Sequence, residues 1–82
     1  MTQEQIETMI RDILVKEFEC DPEKLKPETD LFAELDLDSI DAVDLMVRLQ
    51  RETGRKVDPQ AFRGIRTLGD VTSAVARLMS AG

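Results

Sequence analysis

Apolar residues recur at helical spacing in three stretches of the chain. Over residues 3–18, Ile6, Met9, Ile10, Ile13, Leu14 and Phe18 fall on one face, and Thr2 with Gln5 supplies a capping box at the start. Residues 39–53 make the second helix, which Gly54 ends. Its apolar positions form two stripes. Leu45, Met46 and Leu49 suit a core, while Ile40, Val43 and Val47 lie on a neighbouring face. A helix so wide in apolar residues is either deeply buried or partly kept for partners. Thr67 with Asp70 caps the last helix, which keeps Val71, Ala74, Val75, Leu78 and Met79 at helical spacing.

Between these stretches the pattern breaks. Residues 19–38 contain Pro22 and Pro27, which prevent a continuous helix. Asp21-Pro22 can start a single turn, with Asp as cap and Pro at the first position. Leu25, Leu31, Phe32 and Leu35 are expected to pin this long loop onto the core, since so long a connection needs packing or function to justify it. Asp58-Pro59 repeats the cap-and-proline signal and predicts a short helix to about Arg63, interrupted by Gly64. No strand signal, repeat or linker is found. The expectation is an all-α four-helix bundle: three main helices, one short third helix, and a long loop between helices 1 and 2. The 82 residues are read as a single domain, 1–82.

Composition narrows the chemistry. The chain has no His, the commonest general base and metal ligand near neutral pH, and no Trp or Tyr for stacking nucleic-acid bases. Its single cysteine, Cys20, excludes an internal disulfide and fits a reducing compartment. Cys20 lies beside Glu19 and Asp21, whose charges are expected to raise its pKa and blunt it. The opening "MTQEQIETMI" has neither a basic region nor an apolar signal core, and no apolar run could span a membrane. The expectation is a cytoplasmic monomer with no nucleic-acid partner and no membrane insertion. The net charge of −6 is uneven. Residues 30–44 hold six acids and no base, whereas residues 45–82 hold three acids and seven bases. The acidic run is either a solvated surface or a patch that steers basic partners.

Within that run stands "LDLDSIDAVDL", residues 35–45. Asp38 is a good N-cap, with Leu37 before it and Asp41 three residues on. If Asp38 caps, Ser39 occupies the first helical position and the backbone does not need its hydroxyl. A phosphate ester there would meet free N–H groups and the positive end of the helix dipole. The nearby carboxylates would oppose that charge, although a divalent ion could bridge them during a phosphoryl transfer. Catalysis by Ser39 lacks a base: the chain has no His, and no Lys lies in this segment. A calcium loop starting at Asp36 fails, because Ile40, Asp41 and Val47 stand where an oxygen ligand, Gly and Glu are required. No metal site is expected.

Taken together, these features resemble the acyl carrier protein family. They are an acidic chain of about this length, a long loop after the first helix, and Asp38-Ser39-Ile40 opening a second helix of interleaved acidic and apolar residues. The resemblance runs from Ile6 through Leu78. It implies that Ser39, preceded by Asp38, receives 4'-phosphopantetheine from coenzyme A in a magnesium-dependent transfer. The arm's thiol then holds acyl groups as thioesters, and the chain is a carrier rather than an enzyme. The implied pathways are fatty-acid, polyketide or aryl-polyene-type biosynthesis. The implied partners are a phosphopantetheinyl transferase, a ketosynthase, acyltransferases and other acyl-processing enzymes. Asp41 and Asp44 would meet basic residues on them, with Ile40, Val43 and Val47 as apolar contacts. By the same resemblance Met46, Leu49, Phe62, Ile65 and Leu68 line a space for the acyl chain; read from the residues alone they are core.

The chain departs from the family pattern in three places. Asp36 stands where the family commonly has Gly, two residues before the Asp of the serine motif. Arg48 and Arg51 enter the later part of the second helix, and Arg63 and Arg66 frame the short third one, both regions being often acidic in the family. These changes imply a specialised carrier with dedicated enzymes, and "ELDLDSIDAVDLMVRLQ" looks like carriers of aryl polyene and related polyketide-like systems. Two other readings compete. One is an unmodified helical interaction module docking through the same acidic helix-2 surface. The other is a peptidyl carrier, which more often has Gly-rich residues and a His before the serine.

Overall fold

Three α-helices form where the periodicity predicts them: α1 (Gln3–Glu17), α2 (Ser39–Thr53) and α3 (Leu68–Ser80). The computed structural model describes residues 2–62 and 64–80, with only the backbone of Pro59 and Ala61. Each helix starts on a reciprocal cap. Thr2 and Gln5 bond each other's backbone N–H at α1, and Asp38 and Asp41 do so at α2. At α3 the Asp70 N–H donates to the Thr67 hydroxyl, and the Thr67 N–H to the Asp70 carboxylate. Gly54 closes α2 in the left-handed conformation (φ 69°), which glycine adopts without strain.

The two short elements are 3-10 turns, at Pro22–Lys24 and Pro59–Phe62, rather than α-helix. Both begin on an Asp-Pro pair whose carboxylate accepts the N–H two residues on, Glu23 and Gln60 respectively. The second is the expected short third helix. Its expected end, Arg63, lies outside the described residues.

The core is built from one face of each helix: Ile6, Ile10, Ile13 and Leu14 of α1, Leu45 and Leu49 of α2, and Leu68, Val71 and Val75 of α3. Burial of such aliphatic side chains, about 1.5–3 kcal/mol each, drives the assembly. The long loop joins this core through Leu25, Leu31 and Leu37, with Leu35 half-buried. Phe32 departs from expectation and stands exposed. The Asp30 carboxylate accepts the Phe32 and Ala33 N–H groups in a tight turn, in which Leu31 is buried as expected and Phe32 is not.

Backbone bonds fix the loop to the start of α3. Leu31 N–H donates to the Arg66 carbonyl (2.7 Å), Leu68 N–H to Thr29 (3.0 Å) and Gly69 N–H to Pro27 (2.8 Å). Asp30 and Thr67 form an isolated antiparallel bridge. Gly69 permits the approach, because a Cβ there would sit 3.0 Å from the Pro27 carbonyl oxygen. The buried Thr29 hydroxyl accepts the Lys26 N–H and donates to the Lys24 carbonyl, so the loop satisfies its own polar groups. Among the described residues, no helix is long and apolar enough to cross a membrane.

Candidate functional site

The site is the start and outer face of α2. Asp38 accepts the Asp41 N–H at 2.9 Å, and the Asp41 carboxylate accepts the Asp38 N–H at 3.2 Å. Ala42 N–H reaches the Asp38 carbonyl at 3.0 Å, beginning the helical ladder. With the cap made by its neighbours, Ser39 sits exposed at the first helical position. Its hydroxyl is available, and the open helix end gives it a partial positive field. The residue type, exposure and helix end fit a covalent phosphate-linked group, while the surrounding carboxylates oppose its charge.

Asp36, two residues before the cap, has a φ of 56°, in the left-handed region that favours glycine. Asp is among the few residues that enter this region at modest cost.

The expected apolar contacts share an open groove beside Ser39, lined by Ile40, Val43, Asp44 and Val47. Ile40 is 77% exposed, Val43 59% and Val47 40%, so this stripe is not core. Of the two expected acidic contacts, Asp41 also serves the cap. Asp44 is engaged within the chain. Arg48 holds Glu17 at 3.0 Å and faces Asp44 at 3.4 Å through Nε, an ion-pair distance outside hydrogen-bond geometry. The same guanidinium lies 5.9 Å from the centre of the Phe18 ring. Arg48 is therefore a clasp between α1 and α2 as well as a departure in charge. Its partner Glu17 is 31 positions away, beyond the reach of local spacing. Arg66 likewise pairs with Asp30 at 3.4 Å.

A small apolar space of about 30 Å³ lies between the loop, α2 and the second 3-10 turn. Leu31, Phe32, Leu37, Ala42, Leu45, Phe62, Ile65 and Val71 line it. Of the five residues expected to line an acyl-chain space, Phe62 and Ile65 border this small apolar space. Leu49 and Leu68 are fully buried in the core, and Met46 packs half-buried against it. Sequence reasoning missed Leu31, Phe32 and Leu37 as lining. Their nearness to the serine motif was the available signal.

Among the described residues, three titratable groups depart from their ordinary values. Burial pushes the Cys20 thiol up, with a smaller push from the Asp41 charge. The direction matches expectation, but the cause is not the flanking Glu19 and Asp21. Asp30 is lowered, first by the Ala33 N–H and also by Phe32 and Arg66. Asp70 is lowered by the Thr67 and Arg66 N–H groups.

A family model described as the phosphopantetheine attachment site matches residues 9–75. The chain is 51% identical over 81 residues to acyl carrier protein 2 of Ralstonia nicotianae, covering 99% of this chain and all of that one. It is 32% identical over 75 residues to the acyl carrier protein of Lactobacillus acidophilus, covering 92% and 94% of the two chains. It is 31% identical over 78 residues to the meromycolate extension acyl carrier protein of Mycobacterium leprae, covering 95% and 68%.

Proposed function

The chain belongs to the acyl carrier protein family, and on that premise we propose that Ser39 is the residue that bears its 4'-phosphopantetheine. Members of this family are carriers that acyl-processing enzymes act upon, not catalysts. The bound arm supplies a thiol that holds acyl groups as thioesters. The observation that carries the Ser39 reading is the division of labour at the start of α2. Asp38 and Asp41 complete the cap, and the exposed serine between them keeps its hydroxyl for chemistry. In the transfer, the Ser39 oxygen forms a bond to the pantetheine phosphorus of coenzyme A. The pyrophosphate bond breaks, adenosine 3',5'-bisphosphate leaves, and the hydroxyl proton passes to a base of the transferase.

The chain's own residues would do two things in this function. Asp38 and Asp41 hold the first turn of α2, and thereby the direction in which Ser39 projects. Ile40, Val43 and Val47 offer an apolar seat to the transferase, ketosynthase and acyltransferases, with Asp41 and Asp44 steering their basic surfaces. We assign the chain to a single-domain, monomeric, cytoplasmic carrier of aryl polyene or polyketide-like intermediates. The support is "ELDLDSIDAVDLMVRLQ" with its arginine-bearing second half.

The test is intact mass spectrometry after incubation with coenzyme A, magnesium and a broad-specificity phosphopantetheinyl transferase. One phosphopantetheine is expected on the wild type and none on Ser39→Ala. An unmodified wild type would return α2 to an interaction surface that is never loaded. The pathway assignment is tested separately. It fails if the protein serves general fatty-acid enzymes as well as a housekeeping carrier does, and gains nothing from a polyene-type ketosynthase.

A further inference from the structure

The outer face of α2 changes sign along its length. Ile40, Asp44, Val47 and Arg51 follow at intervals of four, three and four residues, which aligns them on one side of the helix. Arg48 lies off this line and is taken up by Glu17 and Asp44. Arg51 is exposed and has no ion pair among the described residues. The two arginines of this half-helix thus have different fates. One fastens α1 to α2, and the other stands at the far end of the docking stripe. Twelve residues at about 1.5 Å each set it roughly 18 Å from Ser39 along the axis.

We infer that Arg51 is a specificity-determining contact, and that the face it completes is bipolar. Its partner is an enzyme surface with three matching parts: a cationic group for the acidic Ser39 end, an apolar seat for Ile40 and Val47, and a carboxylate facing Arg51. This inference rests on reading α2 as the partner-facing helix and adds the opposite charge at its far end. A uniformly basic docking patch meets a like charge at Arg51, which costs affinity and rejects that enzyme. A second copy of the chain, laid antiparallel, would also match the sequence of charges. The net charge of −6 opposes such pairing.

The probe is a bacterial fatty-acid ketosynthase whose carrier patch bears only Lys and Arg, titrated by calorimetry with the full-length unmodified chain. Arg51→Glu is expected to tighten binding about fivefold to tenfold, and Arg55→Glu, beyond the end of α2, to change it less than twofold. Replacing the enzyme's lysine that faces position 51 with Glu should reverse the order of wild type and Arg51→Glu. Equal effects of the two arginine reversals, or a silent Arg51→Glu, would overturn the inference. Val47→Asp separates the underlying reading: if it leaves binding unchanged, the docking face itself is wrong. If Val47→Asp abolishes binding while Arg51→Glu is silent, the fault lies in the role of Arg51 alone. Sedimentation at increasing concentration should find monomer, and a dimer lost in Arg51→Glu would overturn the inference in favour of self-pairing.

Discussion

The starts of α2 and α3 carry the same cap and opposite fates. Each has a polar cap residue, Asp38 or Thr67, and an aspartate three positions on that returns the bond. The first residue after the cap is Ser39 in one and Leu68 in the other. Leu68 is wholly buried, and the N–H groups of Leu68 and Gly69 are spent on the Thr29 and Pro27 carbonyls. Ser39 is exposed, and no loop closes over it. The cap geometry is therefore not what makes a site. What differs is whether the rest of the chain covers the helix end, and the long loop covers α3 while leaving α2 open.

The sharpest test of that contrast is a pair of truncations at the first helical position. Leu68→Ala should lower the unfolding free energy by about 2–5 kcal/mol, as buried leucine truncations do, and Ser39→Ala by less than about 0.5 kcal/mol. Urea denaturation measures both. Comparable losses would mean that Ser39 is structural. Next in size are the caps themselves. Asp38→Ala and Thr67→Ala should each cost about 1 kcal/mol, because each orphans an N–H of the first turn. A much larger loss at Asp38 would break the equivalence of the two ends.

Arg48→Met should have a smaller effect, about 0.5–1 kcal/mol in the same assay, since its ion pairs are partly solvated and some packing on Phe18 is kept. It should also release Asp44. Association with a basic partner would then quicken, and 0.5 M salt should remove the gain. An unchanged rate would mean that Arg48 does not mask Asp44.

The smallest effect is on acid stability. Asp30 and Asp70 are both held below the ordinary carboxylate range, chiefly by backbone N–H groups. Carboxylates depressed on folding stabilise above their unfolded pKa, and that stabilisation is lost as pH falls through the folded values. Urea midpoints should therefore decline below about pH 4, and less steeply in Asp70→Asn. An identical decline in that variant would remove Asp70 from the acid-sensitive set.

Much of this was legible in the sequence because it is local. The three helices, the caps and the 39–53 boundaries of α2 follow from residues within one turn of each other. So does the availability of Ser39. What was not legible depends on distant pairs. Arg48 read as a surface charge because Glu17 and Phe18 are far away in sequence. Leu31 and Phe32 both read as core, because spacing does not reveal that the Asp30 turn would bury only Leu31. The lining of the small apolar space was only partly foreseen, since three of its eight residues come from the long loop, whose path is set by bonds to α3. The cause of the Cys20 shift was misjudged for a related reason: burial outweighs neighbouring charges, and burial is a property of the whole fold.

The central claim is that Ser39, and no other hydroxyl, takes the phosphopantetheine. Tryptic mapping of the loaded protein tests it directly, because Lys26-Pro27 resists cleavage and the peptide of residues 25–48 contains just two hydroxyl side chains, Ser39 and the buried Thr29. Fragmentation should place the whole added mass on Ser39. Mass on Thr29, on any other peptide, or persisting in Ser39→Ala would contradict the claim.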